Sequence, residues 1–123
     1  MNNPVGWFEI ATTDLERARQ FYADVFKYEF QYIDMPGSKM YMFAGGPESL
    51  GSMGALLAGD DEVTPSTVGT LIYFQSEDVT IQEARIEAAG GKVIVPKISL
   101  GEFGFMVQFI DTEGNKIGIH SNS

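Results

Sequence analysis

The sequence predicts an α+β protein, a single domain over residues 1–123 made of two tandem βαβββ modules. Three observations predict this architecture. The same order of elements occurs twice, the strand-to-helix passages at Asp14 and Asp78 align at an offset of 64 residues, and a polar segment separates the two halves. The predicted bounds are about 4–59 for module 1, 60–67 for the linker and about 68–121 for module 2. Two unrelated α+β halves are the alternative.

Module 1 begins with a strand followed by an amphipathic helix. Alternating side chains predict the strand over 5–12, and Thr13 or Asp14 has the chemistry of a helix N-cap, with Thr13 and Glu16 at capping-box spacing. The apolar face of the helix carries Leu15, Ala18, Phe21, Tyr22, Val25 and Phe26. Aromatic and β-branched segments then predict three strands, at 28–35, 39–44 and 52–58.

Module 2 repeats this order. A strand is predicted over 70–75, and a helix begins at Asp78 and ends at Ala89, before two glycines. Three strands follow, over 92–98, 105–110 and 116–120, and the last two are joined by the turn residues 111–115.

The composition excludes several kinds of chemistry. With no cysteine and one histidine, the chain has no disulfide, no thiolate ligand and no site built from several of its own histidines. A formal net charge of −9 argues against a nucleic-acid partner. Because no segment resembles a leader or a membrane span, we expect a cytoplasmic protein with no membrane partner.

Two segments carry a family resemblance. The run Thr-Asp-Leu-Glu-Arg-Ala-Arg-Gln-Phe-Tyr at 13–22 resembles the opening of the vicinal oxygen chelate superfamily, and 109–118 resembles its F-x-D-P-D-G-N-x-x-E segment. This superfamily includes glyoxalase I, bleomycin-resistance proteins and extradiol dioxygenases. The resemblance implies mixed sheets that curl around a cavity, with helices outside, and for many small members a homodimer.

The resemblance also implies four metal-ligand positions. They fall on Trp7, Leu71, Gly118 and one residue within 52–57, and none of them is a good ligand. We therefore expect no metal and no other cofactor. A shift of two residues along a strand keeps the same face, so a metal enzyme with Glu9 and His120 as shifted ligands is an alternative.

Strand alternation predicts which side chains line the cavity. The residues expected to face the helices are Phe8, Ile10, Ile72, Phe74, Ile117 and Ile119. The residues expected to bind a ligand on the opposite side are Trp7, Glu9, Leu71, Tyr73, Gln75, Gly118 and His120.

Several of these residues have two interpretations. Glu9, expected to be partly buried, is either a counter-charge or general base, or a carboxylate satisfied by the fold. His120 is either its proton-transfer partner or a residue near a frayed C-terminus. Trp7 and Tyr73 either stack on a ligand or pack against neighbouring side chains of the fold. Met40, Met42 and Met53, at the rim of the predicted cavity, either form an adaptable apolar wall of that cavity or fill the core. The glycine-hinged loop 101–105 is either a lid or a dimer contact.

The leading hypothesis is a metal-independent homodimer that binds a small organic molecule, neutral or cationic, in an aromatic cavity. The first alternative is an isomerase- or lyase-type enzyme with catalytic Glu9 as general base, assisted by His120 or Tyr73. The second is the metal-dependent enzyme with shifted ligands.

Overall fold

The computed structural model describes residues 3–123. Met1 and Asn2, which belong to the N-terminal segment that we expect not to be a leader, lie outside the described residues. The described chain folds into eight strands, two helices and a short 3-10 turn at Gly101–Phe103. The elements are β1 Trp7–Thr12, α1 Leu15–Phe26, β2 Phe30–Met35, β3 Ser38–Phe43, β4 Met53–Ala58, β5 Tyr73–Gln75, α2 Val79–Ile86, β6 Lys92–Ser99, β7 Phe105–Ile110 and β8 Lys116–Ser121.

The strands form two four-stranded mixed sheets. The first sheet has the order β1-β4-β3-β2 and the second has the order β5-β8-β7-β6. In each sheet the first pair of that order, β1 with β4 and β5 with β8, is parallel, and the other pairs are antiparallel. The predicted α+β class with tandem βαβββ units is confirmed. None of the helices described between residues 3 and 123 is long and apolar enough to cross a membrane.

Three local features differ from the sequence prediction. Strand β5 covers only 73–75, because β8 pairs with those three residues alone. Helix α2 ends at Ile86, whose carbonyl accepts a hydrogen bond from Gly91 N at 3.0 Å. Asp14 caps α1, but the predicted capping box does not form, since Glu16 bonds Arg19 and the Tyr41 hydroxyl instead.

The helix-facing sides of both sheets meet in one hydrophobic core. Tyr22 of α1 lies with its ring centroid 6.1 Å from that of Phe43 on β3 and 5.7 Å from that of Phe74 on β5, and the two phenylalanine rings are 5.6 Å apart. Because these inner sides meet each other and the helices, the other side of each sheet faces outward. We call these outward sides the open face of the first sheet and the open face of the second sheet.

The turn between β7 and β8 joins module 2 to the start of α1 in module 1. Glu113 accepts hydrogen bonds from the backbone amides of Thr13 and Asp14 at 2.9 and 2.8 Å, and from Arg17 Nε at 2.8 Å. Asn115 Nδ2 donates to the Ala11 carbonyl at 2.8 Å. The turn therefore caps a helix and fixes the end of β1 as well as closing its own hairpin.

Candidate functional site

The open face of the first sheet presents Trp7 and Glu9. The indole is 42 % exposed, and its Nε1–H donates to Glu9 Oε2 at 3.3 Å. Glu9 is itself exposed, so the expectation of partial burial is wrong. The apolar neighbours of Glu9 in the strand, Phe8 and Ile10, pack on the opposite side, in and against the core.

Three methionines extend this open face across the first sheet. Met53 lies opposite Trp7 on β4, and Met42 on β3 lies opposite Ala55 of β4. Both are half-buried, whereas Met40 is 7 % exposed yet lies outside the core that surrounds the helices. Unbranched thioether side chains adapt to irregular apolar shapes, so the half-buried Met42 and Met53 suit an adaptable wall, whereas the burial of Met40 suits core filling.

The open face of the second sheet is dominated by Tyr73, which is 42 % exposed. Its ring lies flat on Gly118 of β8, where a Cβ would stand 2.3 Å from the ring carbons. Its hydroxyl accepts a hydrogen bond from Gln108 Nε2 at 2.6 Å. The glycine therefore leaves the space in which the ring lies.

His120 and Gln75 complete this face. They lie opposite each other on β8 and β5, so His120 is part of a paired strand and not of a frayed end. The His120 Nε2–H donates to the Phe103 carbonyl at 2.6 Å, and the Phe103 side chain is 70 % exposed. This bond ties the loop 101–104 to the edge of the open face.

Two clefts lie along the line where β1 approaches β5. The larger, of about 500 Å³, brings together Leu71, Tyr73 and Gln75 with aromatic residues of the first module, among them Phe8 and Tyr28. The smaller, of about 360 Å³, includes Glu9 and part of the linker. The structure thus groups three predicted ligand residues and separates them from Glu9, and within one chain Glu9 and His120 lie on different open faces.

The ligand positions implied by the family do not fit a divalent metal ion. Strand register places Tyr73, not Leu71, opposite Gly118, and Ala55 opposite Glu9. The implied first position, Trp7, lies opposite Met53. None of Trp7, Met53, Leu71 and Gly118 offers a carboxylate or an imidazole, and Glu9, two residues along β1, is the nearest carboxylate on that strand. Within residues 3–123 the structure brings together no group of three or more histidine, aspartate or glutamate side chains that could hold a metal ion.

Sequence reasoning missed Met106 and Gln108 on β7. Val107 and Phe109 are buried in the core, so alternation places Met106 and Gln108 on the open face. Their register against His120 and Gly118 of β8 then brings them beside the predicted site. The alternating pattern of β7 was a sufficient signal, because the turn at 111–115 already predicted the β7–β8 hairpin.

Comparisons with known proteins agree with the fold and the sequence motifs. A family model described as bleomycin resistance protein-like N-terminal matches residues 5–46. A glyoxylase-like domain-containing protein of Didymella fabae is 32 % identical over 119 residues, covering 94 % of this chain and 91 % of that protein. The chain therefore belongs to the vicinal oxygen chelate superfamily, in its glyoxalase/bleomycin-resistance group.

Two further relatives come from Streptomyces. The anthracycline biosynthesis protein DnrV of Streptomyces peucetius is 26 % identical over 125 residues, which cover 88 % of this chain but 43 % of that protein, so this chain spans less than half of DnrV. The crystal structure of TnmS3, an antibiotic binding protein from Streptomyces sp. CB03234, superposes with a TM-score of 0.72 at 25 % identity, covering 99 % of this chain and 98 % of TnmS3.

Proposed function

We propose that this protein binds a neutral or cationic organic molecule without a metal ion, as a homodimer. The site lies between the open face of the first sheet in one subunit and the open face of the second sheet in the other. One observation carries the proposal: Trp7 and Tyr73, each 42 % exposed, stand on these two faces in a single chain. In the dimer, Trp7 of one subunit and Tyr73 of the partner subunit enclose the ligand.

Exposed apolar side chains support the dimer. Beyond the two aromatic rings, Met35 is 48 % exposed on the first open face, and Ile98 is 41 % exposed on the second. Phe103 extends the second face at its edge. Extended apolar surface on two sides of a small chain is typical of an interface, and a two-fold axis pairs the two faces twice.

Charge supports a neutral or cationic ligand. The Glu9 carboxylate accepts the Trp7 indole N–H, and in the part of the chain that the structure describes no lysine or arginine forms an ion pair with it. A carboxylate beside an indole ring is a favourable environment for a cation. The net charge of −9 acts in the same direction at long range.

The relatives and the donor set support the remaining parts of the proposal. TnmS3 is described as an antibiotic binding protein and DnrV as an anthracycline biosynthesis protein, which favours an organic ligand for this chain. Across the proposed dimer, Glu9 and His120 of the partner subunit are two donors, fewer than a tight divalent site needs. The proton-transfer alternative, with Glu9 as general base assisted by His120 or Tyr73, requires Glu9 and its assisting residue in one site, and it stays a prediction.

Glu9→Gln is expected to weaken the binding of a cationic aromatic probe, 9-aminoacridine, by about tenfold, because it removes the counter-charge. The binding of acridine, which is neutral at pH 7, is expected to change little. Isothermal titration at pH 7 measures both affinities, and Glu29→Gln on an exposed loop is the matched control.

An unchanged affinity of the Glu9→Gln variant for 9-aminoacridine would contradict the counter-charge role. The same titrations in EDTA test metal independence, because a chelator is expected to leave both affinities unchanged. Loss of binding in EDTA would contradict that part of the proposal.

A further inference from the structure

Within residues 3–123, no strong hydrogen bond uses the proton of the Tyr73 hydroxyl. A phenolic oxygen donates one proton and accepts through its lone pairs. Gln108 Nε2 donates to this oxygen at 2.6 Å, so the bond to Gln108 uses a lone pair and leaves the proton. The hydroxyl also lies 3.9 Å from Met106 Sδ, and a thioether is a weak acceptor.

The direction of this hydroxyl follows from three residues in one row across the second sheet. Gly118 of β8 lies opposite Tyr73 on β5 and opposite Gln108 on β7. Since Gly118 has no side chain, the Tyr73 ring crosses β8 and its hydroxyl reaches the Gln108 amide. Gln108 therefore fixes the hydroxyl over the open face and keeps its proton available.

We infer that the site takes an aromatic ligand bearing a carbonyl oxygen, such as a quinone or an aromatic ketone, and that Gln108 is the positioning residue that makes Tyr73 the donor to that oxygen. The inference rests on the proposed function, which it deepens by naming the ligand class. The two faces then differ in polarity. The first offers the acceptor Glu9 for donors or positive charge, and the second offers the Tyr73 hydroxyl for the carbonyl.

A matched pair of probes tests the inference. The probes are 2-methyl-1,4-naphthoquinone and 2-methylnaphthalene, which share one bicyclic carbon skeleton and differ in the two carbonyl groups of the quinone ring. The chain has no cysteine, so the quinone cannot react with a protein thiol. Equilibrium dialysis gives the ratio of the two affinities, which is expected to favour the quinone by about tenfold for the unmodified protein.

Two substitutions are expected to bring this ratio close to one. Tyr73→Phe keeps the ring and removes the donor. Gln108→Glu replaces the amide by a carboxylate, which accepts the Tyr73 proton and withdraws it from the ligand. A purely structural role for Gln108 would change both affinities together and leave the ratio unchanged, so the ratio separates positioning from folding.

The possible outcomes are distinct. If the unmodified protein binds both probes and either variant keeps the tenfold ratio, the carbonyl inference is overturned while aromatic binding stands. A ratio near one in the unmodified protein also overturns it. If the unmodified protein binds neither these probes nor 9-aminoacridine, the proposed function fails, and the inference fails with it.

Discussion

Glu113→Gln is expected to lower the free energy of unfolding by about 3 kcal/mol, because it removes a buried, fully bonded charge. The Glu113 side chain is 0 % exposed, and its carboxylate accepts from Thr13, Asp14 and Arg17 at 2.8 to 3.0 Å. These bonds start α1 and join the two modules. Urea denaturation at pH 7 measures the loss.

An exposed ion pair provides the control. Glu16→Gln removes a bridge to Arg19 whose glutamate side chain is 61 % exposed, and it is expected to cost less than about 1 kcal/mol. Equal losses for the two variants would contradict the account of Glu113 as a buried carboxylate whose hydrogen bonds join the modules.

The depressed pKa of Glu113 makes the stability of the folded protein sensitive to acid. Burial raises the pKa of Glu113, but the hydrogen bonds from Arg17, the Asp14 amide, Thr112 and Thr13 lower it by more, from 4.5 to about 2. A carboxyl group with a depressed folded pKa stabilises the protein above its unfolded pKa, and this stabilisation is lost as the pH falls toward the folded value. The contribution of Glu113 therefore disappears between about pH 4.5 and pH 2.

The contribution of Asp111 to the stability of the protein changes with pH in the opposite direction, and it does so over a different range of pH. Burial raises the pKa of Asp111 above 3.8, so its contribution is complete below 3.8 and is lost as the pH rises through the folded value. Below pH 3.8 only the Glu113 contribution of these two still changes. The unmodified protein is expected to lose more stability between pH 3.8 and pH 2 than Glu113→Gln does, and equal losses would contradict the assignment.

Gly104→Ala is expected to cost about 3 kcal/mol, because the position combines backbone strain with a steric clash. Gly104 has φ +95° and ψ −137°, and a Cβ there would stand 2.3 Å from the backbone oxygen of Ser121. To relieve this clash, either β8 or the loop 101–104 has to move, and the hydrogen bond from His120 to the Phe103 carbonyl holds that loop in place. Thermal unfolding measures the effect.

The matched control lies in the same loop. Gly101 also has a positive φ, +67°, but a Cβ there would meet nothing within 4 Å. Gly101→Ala is therefore expected to cost about 1 kcal/mol, the backbone part alone. Similar losses for the two variants would show that the clash with Ser121 is not significant.

The fold was predictable from local patterns. Alternation placed Phe8, Ile10 and Phe74 on the helix side of their strands, and all three pack in or against the core. The offset between Asp14 and Asp78 identified two helix starts, and both side chains accept hydrogen bonds from amides of the first helical turn.

Strand alternation separated the helix-facing side of each sheet from its open face, but it did not give the contacts on the open faces. Trp7, Glu9 and Tyr73 lie on the side opposite the helices, as alternation predicts. Alternation does not say whether a second layer of the protein covers that side, so it could not predict that Glu9 is exposed. The Tyr73–Gln108 bond depends on strand order, since these residues are 35 positions apart and joined across a glycine. No local pattern indicates the burial of Asp111 and Glu113, because residues of a turn usually lie at the surface.

Mixing two variants that each lose ligand binding tests most directly whether the site is shared between subunits. Trp7→Ala and Tyr73→Ala are each expected to abolish binding of 9-aminoacridine, and circular dichroism checks that both remain folded. In a mixed dimer one site carries both substitutions and the other carries neither. Equal amounts, unfolded and refolded together, are expected to regain about one quarter of the binding sites. If the mixture regains none, the two residues act within one chain, and the shared site is contradicted.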